Sequence, residues 1–386
     1  MRVFARHELA GSVLADPAAC TGQPALLLEG SWPDASPPAE RFWSLDEAID
    51  ARHGWIDEAA AAYAETISPT PADDAEASFA YLNALSLRYY LVKLLRVVAF
   101  FDEVRPPKPQ ETIELHLHSG RDEDYATLFE PLADAMAFDL RVHWHKAPVA
   151  RPRSTPRDVP WRRWAARAQG PAIAARRRND PHAPRVVLCG NPRLLDGVCR
   201  TLLERGCRVW WLYERFAARS WWRWRRHGVR QLTCDAGDLQ PRRFNDGWTA
   251  SAVICRGIDL SPAVDCWLAR NAAEFGGRQS RWLVHIDGHF RAVRPTRLVL
   301  DEDATPLKRA ALAIARRWGA QSTVVQHGAP CGPFGFAPLA ADEICIWGES
   351  TRRQLATWGV ANERIRVTGW PSVERRWQEW HKLSKG

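Results

Sequence analysis

From residue 185 onward, short apolar runs alternate with longer segments of helical periodicity. The runs are five or six residues long and rich in branched or aromatic side chains, and they lie at 185–189, 208–213, 253–257, 297–301, 323–327, 343–347 and 364–369. Strands of such continuous hydrophobicity are typical of a parallel sheet that is covered by helices on both faces. The pattern therefore predicts an α/β protein with a doubly wound, Rossmann-like domain over about 185–371.

The segments between these runs carry helix start and stop signals. The clearest helix, 306–318, has one apolar stripe, with Thr305 as its N-cap, Pro306 in its first turn and Gly319 after its end. A second helix is predicted over 193–205, where the same periodicity recurs. Both helices would cover a face of the predicted sheet.

Before residue 185 the pattern changes twice. Residues 112–118 and 140–145 alternate like strands and flank a helical segment at 123–138, which predicts a βαβ unit. The segment 147–184 is rich in Pro, Arg and Ala and is predicted to be a basic linker. The first 110 residues contain helical segments between polar, Pro-rich turns, with one candidate strand at 25–28. The chain is thus predicted to have three parts: an accessory, mostly helical region at 1–110, the βαβ unit with its linker at 111–184, and the Rossmann-like domain with a C-terminal helix at 185–386.

The composition narrows the class of protein. Of the 386 residues, 46% are hydrophobic and 25% are charged, which excludes a disordered or collagen-like chain. No apolar run approaches the ~18–20 residues of a membrane-spanning helix, and the first 20 residues lack the apolar core of a secretory signal. The nine cysteines are odd in number and form no CxxC pair, so we expect buried thiols in a reducing compartment, the cytoplasm, rather than disulfides or zinc sites.

The charge is unevenly distributed along the chain. The net charge is +8, yet residues 1–150 carry 12 basic and 24 acidic side chains, whereas residues 151–230 carry 20 arginines and 5 acids. A basic block of this density attracts anions, such as nucleotide phosphates, lipid headgroups or nucleic acid. The charge alone does not choose among these partners.

Segments that are polar, contain glycine or both follow several of the predicted strands. They are Gly190-Asn191, Asp301 to Thr305, Gln326-His327-Gly328, Gly348-Glu349-Ser350 and Gly369-Trp370-Pro371. Ligands of open α/β sheets bind outside the carboxyl ends of the strands, where glycine lets the backbone approach closely and His or carboxylate groups can move protons. Each segment also has a structural explanation: the acids at 301–303 could cap the next helix, His327 could be a hydrogen-bonded core imidazole, and Gly369 and Pro371 could mark turns.

A separate cluster of titratable residues lies within five positions. His285, Asp287 and His289 would share one face if this segment were a strand, and could then bind a metal or exchange protons. A short polar turn after a buried strand explains the same residues equally well.

The basic block contains a segment in which tryptophan and arginine alternate. Trp221, Trp222, Arg223 and Arg225 suit contact with anions at a membrane interface, where indoles lie at headgroup level and guanidinium groups meet phosphate. The same residues could stack on single-stranded nucleic acid, or form a solvated helix with its indoles packed inward.

Several of these segments together resemble a known group of enzymes. The run from Asp303 to Gly319, the tripeptide Gln326-His327-Gly328, the stretch from Ala341 to Glu349 and the Val-Thr-Gly-Trp-Pro ending at Pro371 occur in an order and spacing similar to bacterial GT-B-type enzymes of surface-polysaccharide synthesis. This group includes capsule and lipopolysaccharide glycosyltransferases, glycerophosphotransferases and nucleotide-sugar 2-epimerases. The resemblance covers about 185–371 and is specific between 297 and 371.

The resemblance implies two Rossmann-like domains that hold an activated sugar between them, with Gln326, His327 and Gly328 on the wall of that site. In these enzymes the segment ending at Pro371 normally leads into the second domain, which holds most of the donor nucleotide. Only 15 residues follow Pro371 here. The second domain is therefore expected from the 111–184 region with the N-terminus or from a partner chain; otherwise the donor site is lost.

We therefore predict a glycosyltransferase that moves a sugar from a nucleotide-sugar donor to a bacterial surface glycan or a lipid-linked acceptor, working in the cytoplasm or at the inner membrane. The base that activates the acceptor hydroxyl is expected among His327, Asp303 and Asp287. The donor is expected to contact the backbone after two strands and the tip of a third strand, and an arginine of the basic block would add positive charge. The expected donor-binding residues are Gly190 and Asn191, then Gly348, Glu349 and Ser350, and, at the third tip, Gln326 and Gly328. Since many GT-B enzymes work without a metal, we expect no cofactor other than the nucleotide sugar and no essential metal.

Two other functions remain open. A nucleotide-sugar 2-epimerase would release a modified sugar without needing an acceptor. A non-catalytic scaffold or nucleic-acid-binding protein would use the arginine- and tryptophan-rich segment instead, although nucleic acid is the less favoured partner.

Overall fold

The computed structural model describes residues 1–6, 10, 24–29, 42–49, 54–69, 71, 77–146, 182–234, 244 and 253–370. Its strands, in chain order, are β1 Arg2–Arg6, β2 Ala25–Glu29, β3 Phe42–Ser44, β4 Thr112–Ser119, β5 Asp139–Lys146, β6 Arg185–Cys189, β7 Arg208–Tyr213, β8 Arg230–Thr233, β9 Ile254–Cys255, β10 Ile258–Asp259, β11 Arg297–Leu300, β12 Gln321–Val325, β13 Glu343–Ile346 and β14 Ile365–Val367.

The helices, in the same order, are α1 Leu45–Ala48, α2 Gly54–Ile67, α3 Phe79–Leu82, α4 Ala84–Ala99, α5 Glu123–Met136, α6 Pro192–Glu204, α7 Ala218–Trp224, α8 Ser261–Val293, α9 Pro306–Arg317 and α10 Glu349–Thr357. A π-helical turn, Phe100–Val104, continues α4, and short 3₁₀ segments lie at Arg225–His227 and Asn362–Arg364. No helix in the described part of the chain is both long and apolar enough to cross a lipid bilayer.

The chain divides into two compact units. Unit 1 consists of Met1–Ser68, Ser86–Thr155 and Gly247–Glu274, and unit 2 consists of Pro69–Leu85, Pro156–Asp246 and Phe275–Gly386. Each unit contains one parallel sheet. The structure thus confirms the predicted α/β class and the Rossmann-like parallel sheet.

The sheet of unit 1 has five parallel strands in the order β3-β2-β1-β4-β5. The predicted βαβ unit is formed by β4, α5 and β5, whose strands pair in parallel from Thr112↔Asp139 to Ser119↔Lys146. Strand β1 pairs with β4 in the register Val3↔Leu115, so three strands from the first 110 residues continue the sheet that the βαβ unit begins. The boundary that we expected after residue 110 therefore lies inside this sheet. The candidate strand at 25–28 is β2, whereas β1 and β3 were not predicted because their apolar runs are too short for periodicity to separate strand from helix.

The sheet of unit 2 has seven parallel strands in the order β14-β13-β12-β11-β6-β7-β8. When only the seven strands of this sheet are numbered along the chain, with β6 as the first, their order is 7-6-5-4-1-2-3. It contains the Rossmann order, and the direction reverses between β6 and β11. Side chains of the sheet and of α8 and α9 form its core, among them Val187, Trp282, Ile286, Phe290, Leu298, Leu300, Ala311, Ile314, Val324 and Ile344.

The predicted strand at 253–257 does not belong to this sheet. Its residues form β9 and the turn to β10, a two-stranded antiparallel hairpin that lies in unit 1. Arg256 and Gly257 both have positive φ, at 51° and 80°, the backbone of a tight two-residue hairpin turn. The strand that follows β7 in the parallel sheet is β8 instead, and the apolar pattern did not predict β8.

The described cysteines form no disulfide, as expected; they are Cys189, Cys199, Cys207, Cys234, Cys255, Cys266, Cys331 and Cys345. Cys20, Pro371, the predicted C-terminal helix and most of the basic linker lie outside the described residues.

Candidate functional site

The carboxyl edge of the unit 2 sheet carries most of the predicted donor-site residues. The strand order reverses between β6 and β11, where Asp301 Oδ2 accepts a hydrogen bond from the backbone N–H of Asn191 at 2.7 Å. The Asn191 side chain accepts from Arg193 N–H at 2.9 Å, and its carbonyl accepts from Leu194 N–H at 3.0 Å. The N–H donors at the start of α6 are therefore used within the protein. Gly190 and Asn191 join β6 to β11 here, and the N–H group of Asn191 is occupied by Asp301.

A lysine balances the acidic residues after β11. Lys308 Nζ lies 2.6 Å from Asp301 Oδ1 and also pairs with Glu302. Glu302 accepts hydrogen bonds from the N–H groups of Ala304 and Thr305, at 2.6 and 3.0 Å, and so fixes the backbone that leads into α9. Burial alone would raise the pKa of Glu302, but the charge and hydrogen bond of Lys308 outweigh it, and the pKa lies below its ordinary value. This cluster has the capping role that the sequence offered as the alternative.

The tip of β12 holds a histidine whose ring has a fixed orientation. The imidazole of His327 is half-buried and stacks on Phe336, with ring centroids 4.8 Å apart and planes 7° apart. His327 Nδ1 has no hydrogen-bond partner among the described residues. The Nδ1 atom is itself buried, and a buried polar atom without a partner is an exception in proteins, which makes His327 a candidate for contact with a bound molecule.

Gln326 connects this tip to the next strand. Its side-chain oxygen accepts a hydrogen bond from Trp347 N–H at 2.8 Å, and its side-chain nitrogen donates to the Gly328 carbonyl at 2.9 Å. Since Gln326 is buried and both ends of its amide are used, it holds the tips of β12 and β13 together. The structure thus places Gln326 and Gly328 beside His327, with Gln326 in a positioning role.

The tip of β13 begins a helix whose first turn is open. Gly348 is the N-cap of α10 and brings no side chain to bind the first N–H groups of the helix. The next two residues, Glu349 and Ser350, are exposed, and the Glu349 side chain is 63% exposed beside Arg352. The first four N–H groups of an α-helix lack partners within the helix and carry its positive dipole end. Gly348, Glu349 and Ser350 therefore form a place where an anion can bind.

Two tryptophans next to this helix start form a feature that we did not predict. The indoles of Trp347 and Trp370 stack with centroids 4.1 Å apart and planes 4° apart, although Trp370 is 45% exposed. Thr368 N–H donates to the Ile346 carbonyl at 2.9 Å and holds the end of β14 against β13. In the sequence, the segment containing Trp370 could be taken for a turn. The available signal was a large aromatic residue close to each strand end, with Trp347 directly after β13 and Trp370 three residues after β14.

These tips lie side by side because β11, β12, β13 and β14 are neighbours in one parallel sheet, whose strands are ~4.8 Å apart. The hydrogen bonds of Gln326 and the stacked indoles connect the last three tips directly. The edge thus combines an unpaired imidazole nitrogen, an open helix N-terminus and an exposed aromatic surface. This is a set suited to an anionic ligand that also has a planar ring.

Asp303 does not belong to this set. Its side chain is 2% exposed, and Oδ2 accepts hydrogen bonds from the N–H groups of Ala340 and Ala341, at 2.5 and 3.0 Å. Burial raises the pKa of Asp303 despite the opposing charge of Arg309 and these two bonds. A carboxylate enclosed in this way holds the 340–341 backbone and cannot reach an acceptor hydroxyl.

Asp287 lies elsewhere in unit 2, and the expected strand around it is a helix. In α8, Asp287 points about 160° away from His285, whereas His285 and His289 are four residues apart and lie on the same face, so the three residues do not share one face. Asp287 accepts a hydrogen bond from Trp318 Nε1 at 3.0 Å, just before β12 begins, which is the edge opposite the strand tips. His289 Nε2 lies 2.9 Å from the Thr233 carbonyl. The proposed roles of this cluster in metal binding and acid–base chemistry are therefore not supported.

The arginine- and tryptophan-rich segment forms α7 and the 3₁₀ turn after it. Arg225 stacks over both Trp221 and Trp222, with its guanidinium 4.9 and 3.7 Å from the ring centroids, and Arg223 pairs with Asp196. Trp222 is 57% exposed, whereas Trp224 is buried in the core. The segment is thus a helix with one indole packed inward, and it leaves Trp222 and Arg225 on the surface. Contact of these residues with a membrane or an anion stays a prediction.

The comparisons with known proteins give one structural likeness. No family model matches the sequence, and no curated protein matches it. Among solved structures, UDP-N-acetylglucosamine 2-epimerase from Rickettsia bellii is similar over 53% of this chain, with 14% sequence identity and a TM-score of 0.32. The match spans 50% of the epimerase chain.

Proposed function

We propose that this protein is a nucleotide-sugar-dependent glycosyltransferase of the GT-B type, with its donor bound at the carboxyl edge of the unit 2 sheet. The observation that carries the proposal is the connected set at the tips of β12, β13 and β14: His327, the open N-terminus of α10 and the Trp347–Trp370 pair. A nucleotide sugar has the matching groups, a diphosphate, a planar base and a sugar. The motif resemblance of the same segments to bacterial enzymes of surface-polysaccharide synthesis supports the same assignment.

The donor diphosphate is assigned to the start of α10. The N–H groups of Gly348, Glu349 and Ser350 would donate to its oxygens, and the helix dipole favours the negative charge. When the bond between the sugar carbon and the diphosphate breaks, the leaving group gains charge at these donors, which is where stabilisation speeds the reaction. The exposed carboxylate of Glu349 would accept hydrogen bonds from ribose hydroxyls.

The base of the nucleotide is assigned to the exposed face of Trp370. An indole already stacked on Trp347 offers a flat, fixed surface at low cost in side-chain entropy. The acceptor hydroxyl is assigned to His327, whose Nδ1 would take its proton as the oxygen attacks the sugar carbon.

Isothermal titration with UDP-, GDP-, CMP- and dTDP-sugars tests the donor assignment. We expect one base class to bind, and Trp370→Ala to weaken that binding by about 5- to 150-fold, since stacking of a base on an aromatic ring contributes roughly 1–3 kcal/mol. Trp222→Ala is the matched control because this indole is equally exposed but distant in sequence and fold, and binding should not change. Equal binding by both variants, or no binding by the folded wild type, would contradict the proposal.

The reaction itself needs a second assay. Incubation of the bound donor with an acceptor glycan should release the nucleotide diphosphate and extend the glycan. Conversion of UDP-GlcNAc to another sugar without an acceptor would instead show an epimerase and overturn the transferase assignment.

A further inference from the structure

Four histidines lie on one face of the unit 1 sheet. Strands β4 and β5 pair in parallel, with His116 opposite His143 and His118 opposite His145. Because alternate side chains of a strand point to the same face, these four rings share one face with Glu114. None of these residues takes part in the proposed transfer site, which lies in unit 2.

His116 is the central ring of this group. It stacks between Phe4 and His143, with both centroid distances at 4.8 Å, and its Nδ1 lies 3.0 Å from His145 Nε2. A neutral ring that donates from Nδ1 to His145 carries its lone pair on Nε2.

The Nε2 atom of His116 has no hydrogen-bond partner among the described residues, although the residue is only 6% exposed. Buried polar atoms are almost always paired, so an unpaired one indicates a missing ligand. Its position is beside two further groups that can donate a lone pair. One ligand atom each from Glu114, His116 and His143 lie within 4.8 Å of one another.

We propose that Glu114, His116 and His143 bind one transition-metal ion, zinc being the best fit, between β4 and β5. Two imidazoles and one carboxylate suit zinc and its neighbours, whereas Mg²⁺ and Ca²⁺ prefer sites made of oxygen alone. In a tetrahedral zinc site, ligand atoms lie roughly 3.3 Å apart, given bonds of about 2.0–2.1 Å. Because the His116 and His143 rings are stacked with their planes 14° apart, binding would require the exposed His143 ring to turn out of the stack and direct a nitrogen at the ion.

The neighbouring side chains would position these ligands. His145 holds the His116 ring through Nδ1, and Arg2 Nε donates to Glu114 Oε2 at 3.1 Å, which leaves Oε1 for the ion. Such contacts to the outer side of a ligand fix its orientation and raise its affinity for metal. With three ligands from the protein, a fourth position is left for water or a small anion.

Zinc titration of the full-length, tag-free protein, stripped of metal with EDTA, tests the proposal. We expect one Zn²⁺ per chain, and cobalt in its place should give visible absorption of a four-coordinate site. Loss of a residue that only positions a ligand weakens metal binding by roughly 10- to 100-fold. His143→Ala and Glu114→Gln each remove a ligand, so we expect each to weaken zinc binding by more than this. His227→Ala, which removes an exposed histidine of unit 2, should leave the affinity unchanged.

Circular dichroism of each variant shows whether it folds, and His143 was chosen because its exposed side chain can be removed without opening the core. Unchanged zinc affinity in folded His143→Ala and Glu114→Gln would contradict the site. So would the absence of binding at micromolar zinc, which would leave the four rings as an aromatic stack only.

Discussion

His327 is the general base of the proposed reaction. Its ring is fixed by the stack on Phe336, it is half-buried, and Nδ1 has no partner among the described residues. Asp303 and Asp287 also carry a carboxyl group, but in both residues it is occupied. Two backbone N–H groups donate to Asp303, and Trp318 donates to Asp287 at the opposite edge of the sheet. For single residues, burial and hydrogen bonding therefore distinguish candidate bases that the sequence cannot rank.

Replacing His327 by Gln should remove the base and keep most of the packing against Phe336. We expect the transfer rate to fall by about 10²–10⁴, the usual contribution of a general base. The melting temperature of the unliganded protein should stay within about 2 °C, because a half-buried side chain without hydrogen bonds contributes little to stability. His227→Gln is the control for the loss of an exposed imidazole, and full activity in His327→Gln would exclude the assigned role.

Glu302 should make stability depend on pH. The folded protein lowers its pKa, so ionised Glu302 stabilises the fold above the ordinary value of 4.5, and this contribution is lost as the pH falls through the folded value. Glu302→Gln should cost about 1–3 kcal/mol at pH 7 and progressively less as the pH falls below 4.5, measured by urea unfolding. The exposed Glu349→Gln is the control and should change stability by less than about 0.5 kcal/mol at either pH. A pH-independent effect of Glu302→Gln would show that its charge is not the cause.

At the scale of elements, the turn from β6 into α6 depends on the absence of a side chain at Gly190. A Cβ there would lie 2.5 Å from Asp301 Cγ, closer than any real contact. The same carboxylate accepts the Asn191 N–H, so it cannot move away without losing that bond. The close approach of these two strand ends explains the glycine.

Gly190→Ala should therefore destabilise unit 2 by about 1–3 kcal/mol, the usual cost of forcing an atom into a packed site. Gly197→Ala, within α6, meets nothing within 4 Å and should instead stabilise the helix by up to ~1 kcal/mol. Urea unfolding of both variants gives the comparison. If Asp301→Gly restores the stability of Gly190→Ala, the clash is the cause; equal stability of the two alanine variants would contradict it.

The sequence predicted most elements of unit 2 because its strands are continuously apolar and are separated by helices with clear ends. Helix 306–318 and the strands at 185–189 and 208–213 match the structure to within a residue. The prediction failed where an apolar run was short, or where polar residues alternated for a reason other than strand structure. The run at 253–257 is a hairpin made by two positive-φ residues, and the segment around Asp287 is helical although its His and Asp positions alternate.

At the scale of the whole molecule, the chain contains two parallel sheets with related order. Strands β3-β2-β1-β4-β5 of unit 1 repeat the order of β8-β7-β6-β11-β12 in unit 2. The resemblance to GT-B enzymes implied two Rossmann-like domains, and the structure builds the second sheet from residues before 147. The sequence offered the N-terminal region with 111–184 as one source of this domain, but it did not show that β1, β2 and β3 join β4 in one sheet, because long helical segments separate them along the chain.

The site is predicted less fully than the fold for a similar reason. The parallel order placed the strand tips at one edge, so His327 and the start of α10 followed from the sequence. Which tips are closed by internal hydrogen bonds, as at Asn191, and which expose an indole, as at Trp370, depends on packing between neighbouring strands. Such contacts join residues distant in sequence and leave no periodic signal.

Amide hydrogen exchange with a saturating nucleotide sugar tests the central claim most directly, because it locates the donor on the chain. We predict slower exchange in peptides that cover 326–330 and 347–351, where the ligand would bind backbone N–H groups and hold the tips of β12 and β13. Peptides that cover 218–227 should exchange at the same rate with and without the donor. Donor binding that slows exchange only outside the tips of β12, β13 and β14 would contradict the account.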